Sequence, residues 1–166
     1  MVSGGNIFNW LPNTLNLNGA WEDVLKILFA VFHDDFIDNR KYLESCPVWW
    51  DRRKIDSPYD EGFWHLISRK DDQTGERIPD FDRAKKLPWC GPSIENCYDP
   101  NIKYFDYAES RGVNTYIWLE SHEYVIILKY SELRNGKKVY FLKTAYHIDG
   151  ESRRRSFLRK YNARII

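Results

Sequence analysis

The 166-residue sequence is poor in cysteine, with only Cys46, Cys90 and Cys97 and no C-x-x-C pair. An odd count without paired spacing argues against a disulfide framework and fits no structural zinc pattern, so the thiols read as buried core residues. No apolar run is long enough to cross a bilayer, and the first twenty residues lack the basic start and apolar stretch of a secretory signal. A cytoplasmic protein without membrane association is expected. Repeats, low-complexity linkers and a glycine-rich phosphate loop are also missing, and the last absence removes the usual support for nucleotide-cofactor chemistry. No metal or cofactor is expected.

Net charge is small too, +1 from 25 basic and 24 acidic residues, but the charges are segregated. Between Glu151 and Arg164 stand Arg153, Arg154, Arg155, Arg159, Lys160 and Arg164 against a single acid, whereas Trp21–Asp38 is rich in acids. One end of the chain is thus a candidate surface for a polyanion. What is abundant is aromatic: 16% of residues, including seven Trp. Most of these rings serve to fill the core of one domain, with residues 1–19 as an N-terminal extension and 20–166 as the folded body. Trp49, Trp50 and Trp89 lie beside Arg52, Arg53, Lys54, Lys85 and Lys86, an interleaving that single-stranded RNA sites use.

Apolar residues at Trp21, Val24, Leu25, Leu28, Val31, Phe32 and Phe36 recur at helical spacing and predict a helix over about 20–38. Residues 39–58 follow neither period. Gly62 to Ser68 reads as a strand ending in the polar turn Lys70–Gly75. Asp80 can cap a short helix, Phe81–Leu87, ended by Pro88, and Pro92 can start another through Cys97. Strand signals then dominate at 104–107, 114–120, 123–130 and 137–146, followed by a C-terminal helix over about 150–162 with Phe157, Leu158 and Tyr161 inward. The expected class is α+β, an antiparallel sheet of about four to five strands packed by an N-terminal and a C-terminal helix.

Asn135-Gly136 is a strong hairpin signal. A two-residue turn there sets Lys129 opposite Leu142, Ile127 opposite Thr144 and Val125 opposite Tyr146, so that Lys129, Thr144 and Tyr146 share one face. The other face then carries Tyr124, Ile126, Leu128, Phe141 and Ala145 as core. A one-residue bulge would exchange these roles.

Two segments concentrate the chemistry. His65, within Gly62–Arg69, can hold or release a proton near neutral pH, and Arg69 offers a guanidinium for phosphate. Thr144 and Tyr146 close the late hairpin with hydroxyls able to face a reacting phosphate. Arg153, Lys129, Lys143, Arg83, Trp89 and His147 are candidate substrate contacts, with Arg77 and Lys85 as further cations. Each has a bland reading as well: a satisfied core histidine, strand-pairing hydroxyls, a solvated helix face.

The order of N-terminal helix, strand with internal His65 followed by Arg69, helical insert, and antiparallel strands ending in Lys143-Thr144-Ala145-Tyr146 resembles the ribonuclease superfamily that unites barnase, EndoU, the tRNase colicins and the RelE-type toxins. It is similar more specifically to its phage and mobile-element branch. The resemblance spans roughly residues 20–165 through short motifs. It implies a four-stranded antiparallel sheet with RNA bound across the exposed face, His65 as the strand histidine, Arg69 as the following base, and Thr144 and Tyr146 as the late hydroxyl pair. A second histidine for acid/base work is not clearly placed; His122 and His147 are the options.

The chemistry that follows is endoribonuclease cleavage without metal. His65 takes the 2′-hydroxyl proton, Arg69 with Arg153 or Lys129 stabilises the phosphate, and Tyr146 or His147 protonates the leaving 5′-oxygen. The product is a 2′,3′-cyclic phosphate. Such an enzyme fits a toxin or abortive-infection effector acting on tRNA or mRNA and held in check by an antitoxin or immunity protein. A non-catalytic RNA- or partner-binding module of the same fold and an NAD-using transferase toxin are the alternatives.

Overall fold

A computed structural model describes residues 7–166. The expected N-terminal extension, 1–19, therefore lies partly outside the described residues. Its later part is tied to the body: Phe8 and Leu11 are buried, Trp10 Nε1 donates to Asp99 Oδ2 at 3.0 Å, and the Leu15 amide donates to the Lys85 carbonyl at 2.9 Å.

Helix α1, Trp21–Phe32, buries Val24, Leu28 and Phe32 on one stripe. The periodicity predicted a helix reaching Asp38, and the chain does continue, but as a wider π-helical turn over His33–Asp38 that buries Phe36. Strands β1, Tyr42–Leu43, and β2, Cys46–Trp49, form a hairpin in the stretch that showed no period. Its two-residue turn places Glu44 and Ser45 in the left-handed region at φ 49° and 64°, where glycine or asparagine is usual. The Glu44 carboxylate is held by the hydroxyls of Tyr98 and Tyr104, which helps to offset that strain.

The segment expected as a strand around His65 is a helix, α2, Glu61–Ile67. Phe63, Leu66 and Ile67 are buried at i, i+3 and i+4, and this short apolar stripe decides against the local β propensity of Phe, Trp and Ile. Gly62 sits in its first turn because a Cβ there would lie 2.8 Å from Trp50 Cβ. A two-stranded ribbon follows, β3, Ser68–Lys70, and β4, Arg77–Pro79.

Helix α3, Phe81–Ala84, is capped by Asp80 as expected, its side chain accepting from the Arg83 amide. Helix α4, Leu87–Glu95, runs through both prolines that were expected to separate two helices. Pro88 lies in the first turn, where no helical N–H is needed.

Strands β5, Lys103–Glu109, β6, Gly112–Leu119, β7, Tyr124–Glu132, and β8, Lys138–His147, form an antiparallel meander, and helix α5, Glu151–Asn162, closes the chain. The sheet has six strands in the order β1-β2-β8-β7-β6-β5. The α+β class is as expected, but the sheet is larger than four to five strands and is mixed, because β2 runs parallel to β8.

The β7–β8 register corrects the expected turn and retains part of the expected face. Leu133 pairs with Lys137, and the Gly136 amide donates back to the Leu133 carbonyl at 2.8 Å, so Arg134-Asn135-Gly136 is a three-residue loop with Gly136 at φ 82°. That extra residue sets Lys129 opposite Phe141 rather than Leu142. A bulge in β8, across from the Ile127–Leu128 step of β7, then restores Ile127 opposite Thr144 and Val125 opposite Tyr146. Leu142, not Phe141, joins Leu128 in the core, and Lys143 is the extra residue of the bulge.

Both sheet faces are packed. Tyr124, Ile126, Leu128, Leu142 and Ala145 belong to the large core with α1, α2 and α4. Val125, Ile127, Phe105, Tyr116 and Trp118 form a second cluster under Phe157 of α5. Alternation along the strands places Lys129, Phe141, Thr144 and Tyr146 on the α5 side. The sheet extends beyond α5 there, leaving Lys143 exposed.

Candidate active site

Helix α2 ends against the edge of β8, which β2 leaves uncovered after Phe141. Thr144 Oγ1 donates to the His65 carbonyl at 2.9 Å, so the two segments singled out in the sequence meet directly. The hydroxyl proton is used in that bond. Thr144 thereby fixes the end of α2 and offers its two lone pairs, not a donor, to a ligand.

Two arginines complete the cluster. Arg83 Nη1 donates to the His65 carbonyl at 3.1 Å and to the Ser68 carbonyl at 2.6 Å, and its guanidinium lies 5.3 Å over the Tyr146 ring. Arg77 Nη1 contacts the Ser68 carbonyl and hydroxyl, and its Nη2 donates to His65 Nδ1 at 2.7 Å. An acceptor Nδ1 places the proton of the neutral ring on Nε2. Arg77 has no carboxylate within ion-pair distance among the described residues, and Asp80 Oδ2 is 3.7 Å from Arg83 Nε. The site is therefore net positive.

That field is felt by the histidine. Burial, then Arg77, with Arg83 and Lys70 adding to them against the pull of Asp51, lower the His65 pKa to about 4. His65 is neutral at physiological pH. Burial also raises the Tyr146 hydroxyl above its ordinary value, so it stays protonated. Its ring packs 6.2 Å from Phe157, and no protein group bonds its hydroxyl among the described residues. Arg83, Tyr146, Arg153, Ser156 and Phe157 line a groove of about 350 Å3 between β8 and α5. Arg153, 65% exposed and 3.9 Å from Asp149, is held loosely enough to turn toward an anion.

The remaining candidates fall elsewhere. Arg69 alternates with Ser68 and Lys70 along β3, so it points away from the face that carries Arg77 and is exposed. Lys129 Nζ donates to the Arg111 carbonyl at 3.2 Å, and Lys143 Nζ reaches Asn114 Oδ1 at 3.4 Å; both are turned toward β6 and neither contacts the His65 cluster. Trp89 is a core residue, buried against Tyr124, with Nε1 donating to the Pro12 carbonyl at 2.7 Å. His147 follows Tyr146 on the opposite face of β8, where Lys86 Nζ donates to its Nδ1 at 2.7 Å and to the His122 carbonyl at 2.9 Å. Burial lowers the Lys86 pKa to about 8. His147 and His122 thus belong to a separate lysine-centred cluster rather than to the His65 site.

Arg77 was legible only as one more cation. Extending the Lys70–Gly75 turn into a hairpin would have set it opposite Lys70, on the Ser68 face. Compared with protein-family models, curated proteins and solved structures, the chain matches none.

Proposed function

We propose that the chain is an endoribonuclease of the barnase–EndoU–colicin–RelE type that cleaves RNA by attack of its own 2′-hydroxyl. The observation that carries this reading is the convergence of His65, Arg77, Arg83, Thr144 and Tyr146, with both guanidiniums hydrogen-bonded to neutral acceptors and only Arg83 facing a carboxylate, Asp80 at 3.7 Å. A phosphodiester is the better partner for those guanidiniums, because a charge-assisted pair outweighs a bond to imidazole or a carbonyl.

A scissile phosphate seated against Arg83, Arg153 and Arg77 draws Arg77 from His65 Nδ1. The freed lone pair then accepts the 2′-hydroxyl proton, the 2′-oxygen forms its bond to phosphorus, and the 5′-oxygen leaves with a proton from Tyr146. The products are a 2′,3′-cyclic phosphate and a 5′-hydroxyl, and the step consumes no metal. Arg77 takes the place expected for Arg69, and Thr144 positions His65 rather than the phosphate.

The reading extends to a toxin or abortive-infection effector with a neutralising antitoxin or immunity partner. Brief expression of wild type and His65→Ala in a sensitive bacterium, with sequencing of 5′-hydroxyl RNA ends, tests it. New ends and arrested growth with wild type alone support it; equal growth and equal ends sink it. One observation favours a second reading, a non-catalytic RNA-binding module: His65 Nδ1 is engaged by Arg77. In that case His65→Ala leaves RNA binding intact and no cleavage is found in either protein.

A further inference from the structure

Of the tryptophans expected to interleave with basic residues, Trp50 and Trp89 are buried with their indole N–H groups satisfied, Trp50 by Asp60 Oδ2 at 2.9 Å and Trp89 by Pro12. Trp49 differs. It is only half-buried, its indole N–H has no partner among the described residues, and it lines an open cleft of about 550 Å3 with Arg40, Arg52, Lys137 and Tyr42. Lys137 Nζ lies 5.1 Å from its ring centroid and the Arg52 guanidinium 5.9 Å.

The charges of this cleft are unbalanced. Its other lysine, Lys41, is paired with Glu95 at 2.6 Å, and the carboxylate of Asp60 is taken up by Trp50 and by Lys54 at 3.0 Å. Arg40, Arg52 and Lys137 have no carboxylate within ion-pair distance among the described residues, and all three are exposed. An aromatic ring flanked by free cations is the pattern of a single-strand site, since a base stacks on the ring while the displaced cations pair with the flanking phosphates. A base stack is worth more than an exposed cation–π contact, so the exchange favours the nucleotide.

Position ties the cleft to the candidate active site. Trp49 is the β2 partner of Phe141, so its side chain lies on the α5 side of the sheet, with Thr144 and Tyr146. From Phe141 to Tyr146, which lines the groove proposed for the phosphate, the strand advances roughly 15 Å, a distance that a few nucleotides of one strand bridge.

We propose that the Trp49 cleft is a base-stacking subsite for a nucleotide a few positions along the strand from the scissile phosphate, and that it restricts the substrate to single-stranded or looped RNA. A base held in a duplex is already stacked and cannot reach the ring. The substrate claim rests on the nuclease reading, but the binding subsite is tested separately from it.

The probe is a short single-stranded RNA carrying 2′-O-methyl groups throughout, which cannot be cleaved by 2′-attack, with a duplex of the same sequence beside it; binding is read by fluorescence anisotropy at two salt concentrations. Expected are tighter binding of the single strand, at least tenfold weaker binding by Trp49→Ala, near wild-type binding by Trp49→Phe, and a salt dependence flattened by about two phosphate contacts in an Arg40→Ala, Lys137→Ala double variant. That surface double variant keeps the test valid if Trp49→Ala fails to fold. Wild-type affinity in Trp49→Ala, or in the double variant where Trp49→Ala is misfolded, overturns the subsite, as do equal affinity for duplex and single strand and no RNA binding at all. Trp49-dependent binding without any cleavage of unmodified RNA supports the subsite while removing the nuclease; cleavage with unchanged binding in Trp49→Ala does the reverse.

Discussion

The Thr144 hydroxyl donates to the carbonyl of His65 across 79 residues of sequence, at 2.9 Å. Through this bond the edge of the sheet sets the end of the short helix that carries the histidine. The carbonyl also accepts from Arg83, so losing Thr144 does not orphan it. Thr144→Val should therefore cost only about 0.5–1 kcal/mol by thermal denaturation, while lowering cleavage more than stability because α2 loses its register. Thr144→Ser should restore both. Equal cleavage by the Val and Ser variants would remove the positioning role.

The histidine gives stability a defined pH dependence. Its folded pKa, about 4, lies below the ordinary 6.5, so below pH 6.5 the unfolded chain binds the proton that the folded one refuses, and stability falls as pH drops from 6.5 to 4. After discounting for partial exposure the loss is about 1–2 kcal/mol. Asp35 acts in the opposite sense. Burial raises its pKa to about 6, so stability falls as pH rises from about 4 to 6. Urea titrations between pH 4 and 7 should show the two partly cancelling, with His65→Gln leaving a profile that declines with pH and Asp35→Asn one that rises.

Arg77 is the second contributor to the His65 shift after burial. In Arg77→Gln the His65 midpoint, followed by NMR, should rise from about 4 but stay below 6.5, since burial remains. Inorganic phosphate added to wild type should raise it too, as an anion compensates the arginines. A midpoint indifferent to both changes would contradict a phosphate site at these arginines.

Gly62 offers a check on the helix that replaced the expected strand. Alanine would add about 1 kcal/mol of helix preference, yet its Cβ would stand 2.8 Å from the Cβ of Trp50, a side chain anchored to Asp60. Overpacking of that kind costs about 1–3 kcal/mol. Gly62→Ala should lower the melting temperature; a rise would mean that this contact is absent in solution.

The legible parts of the fold were those with long periods: α1, the four strands of the meander and α5. The β1–β2 hairpin escaped because its left-handed turn is made by Glu44 and Ser45, which carry no turn signature and rely on distant Tyr98 and Tyr104. Helix α2 was read as a strand because only Phe63, Leu66 and Ile67 report its period. The Thr144–Tyr146 face came out as expected although the turn did not, since the three-residue loop displaced the register and the bulge restored it. Of the candidate site, the sequence singled out His65, Thr144 and Tyr146, which the fold brings together with Arg83. Arg77 was not singled out, because its place depends on the ribbon that folds it back onto Ser68.

The most direct measurement is cleavage of a single-stranded RNA by the purified protein in the presence of chelator, with the product ends identified. The proposed chemistry predicts 2′,3′-cyclic phosphate and 5′-hydroxyl ends, and a fall of about 10²-fold or more in folded His65→Ala and Arg83→Lys variants, with a smaller one in Tyr146→Phe. Ends of any other kind, or undiminished cleavage by His65→Ala, would contradict it.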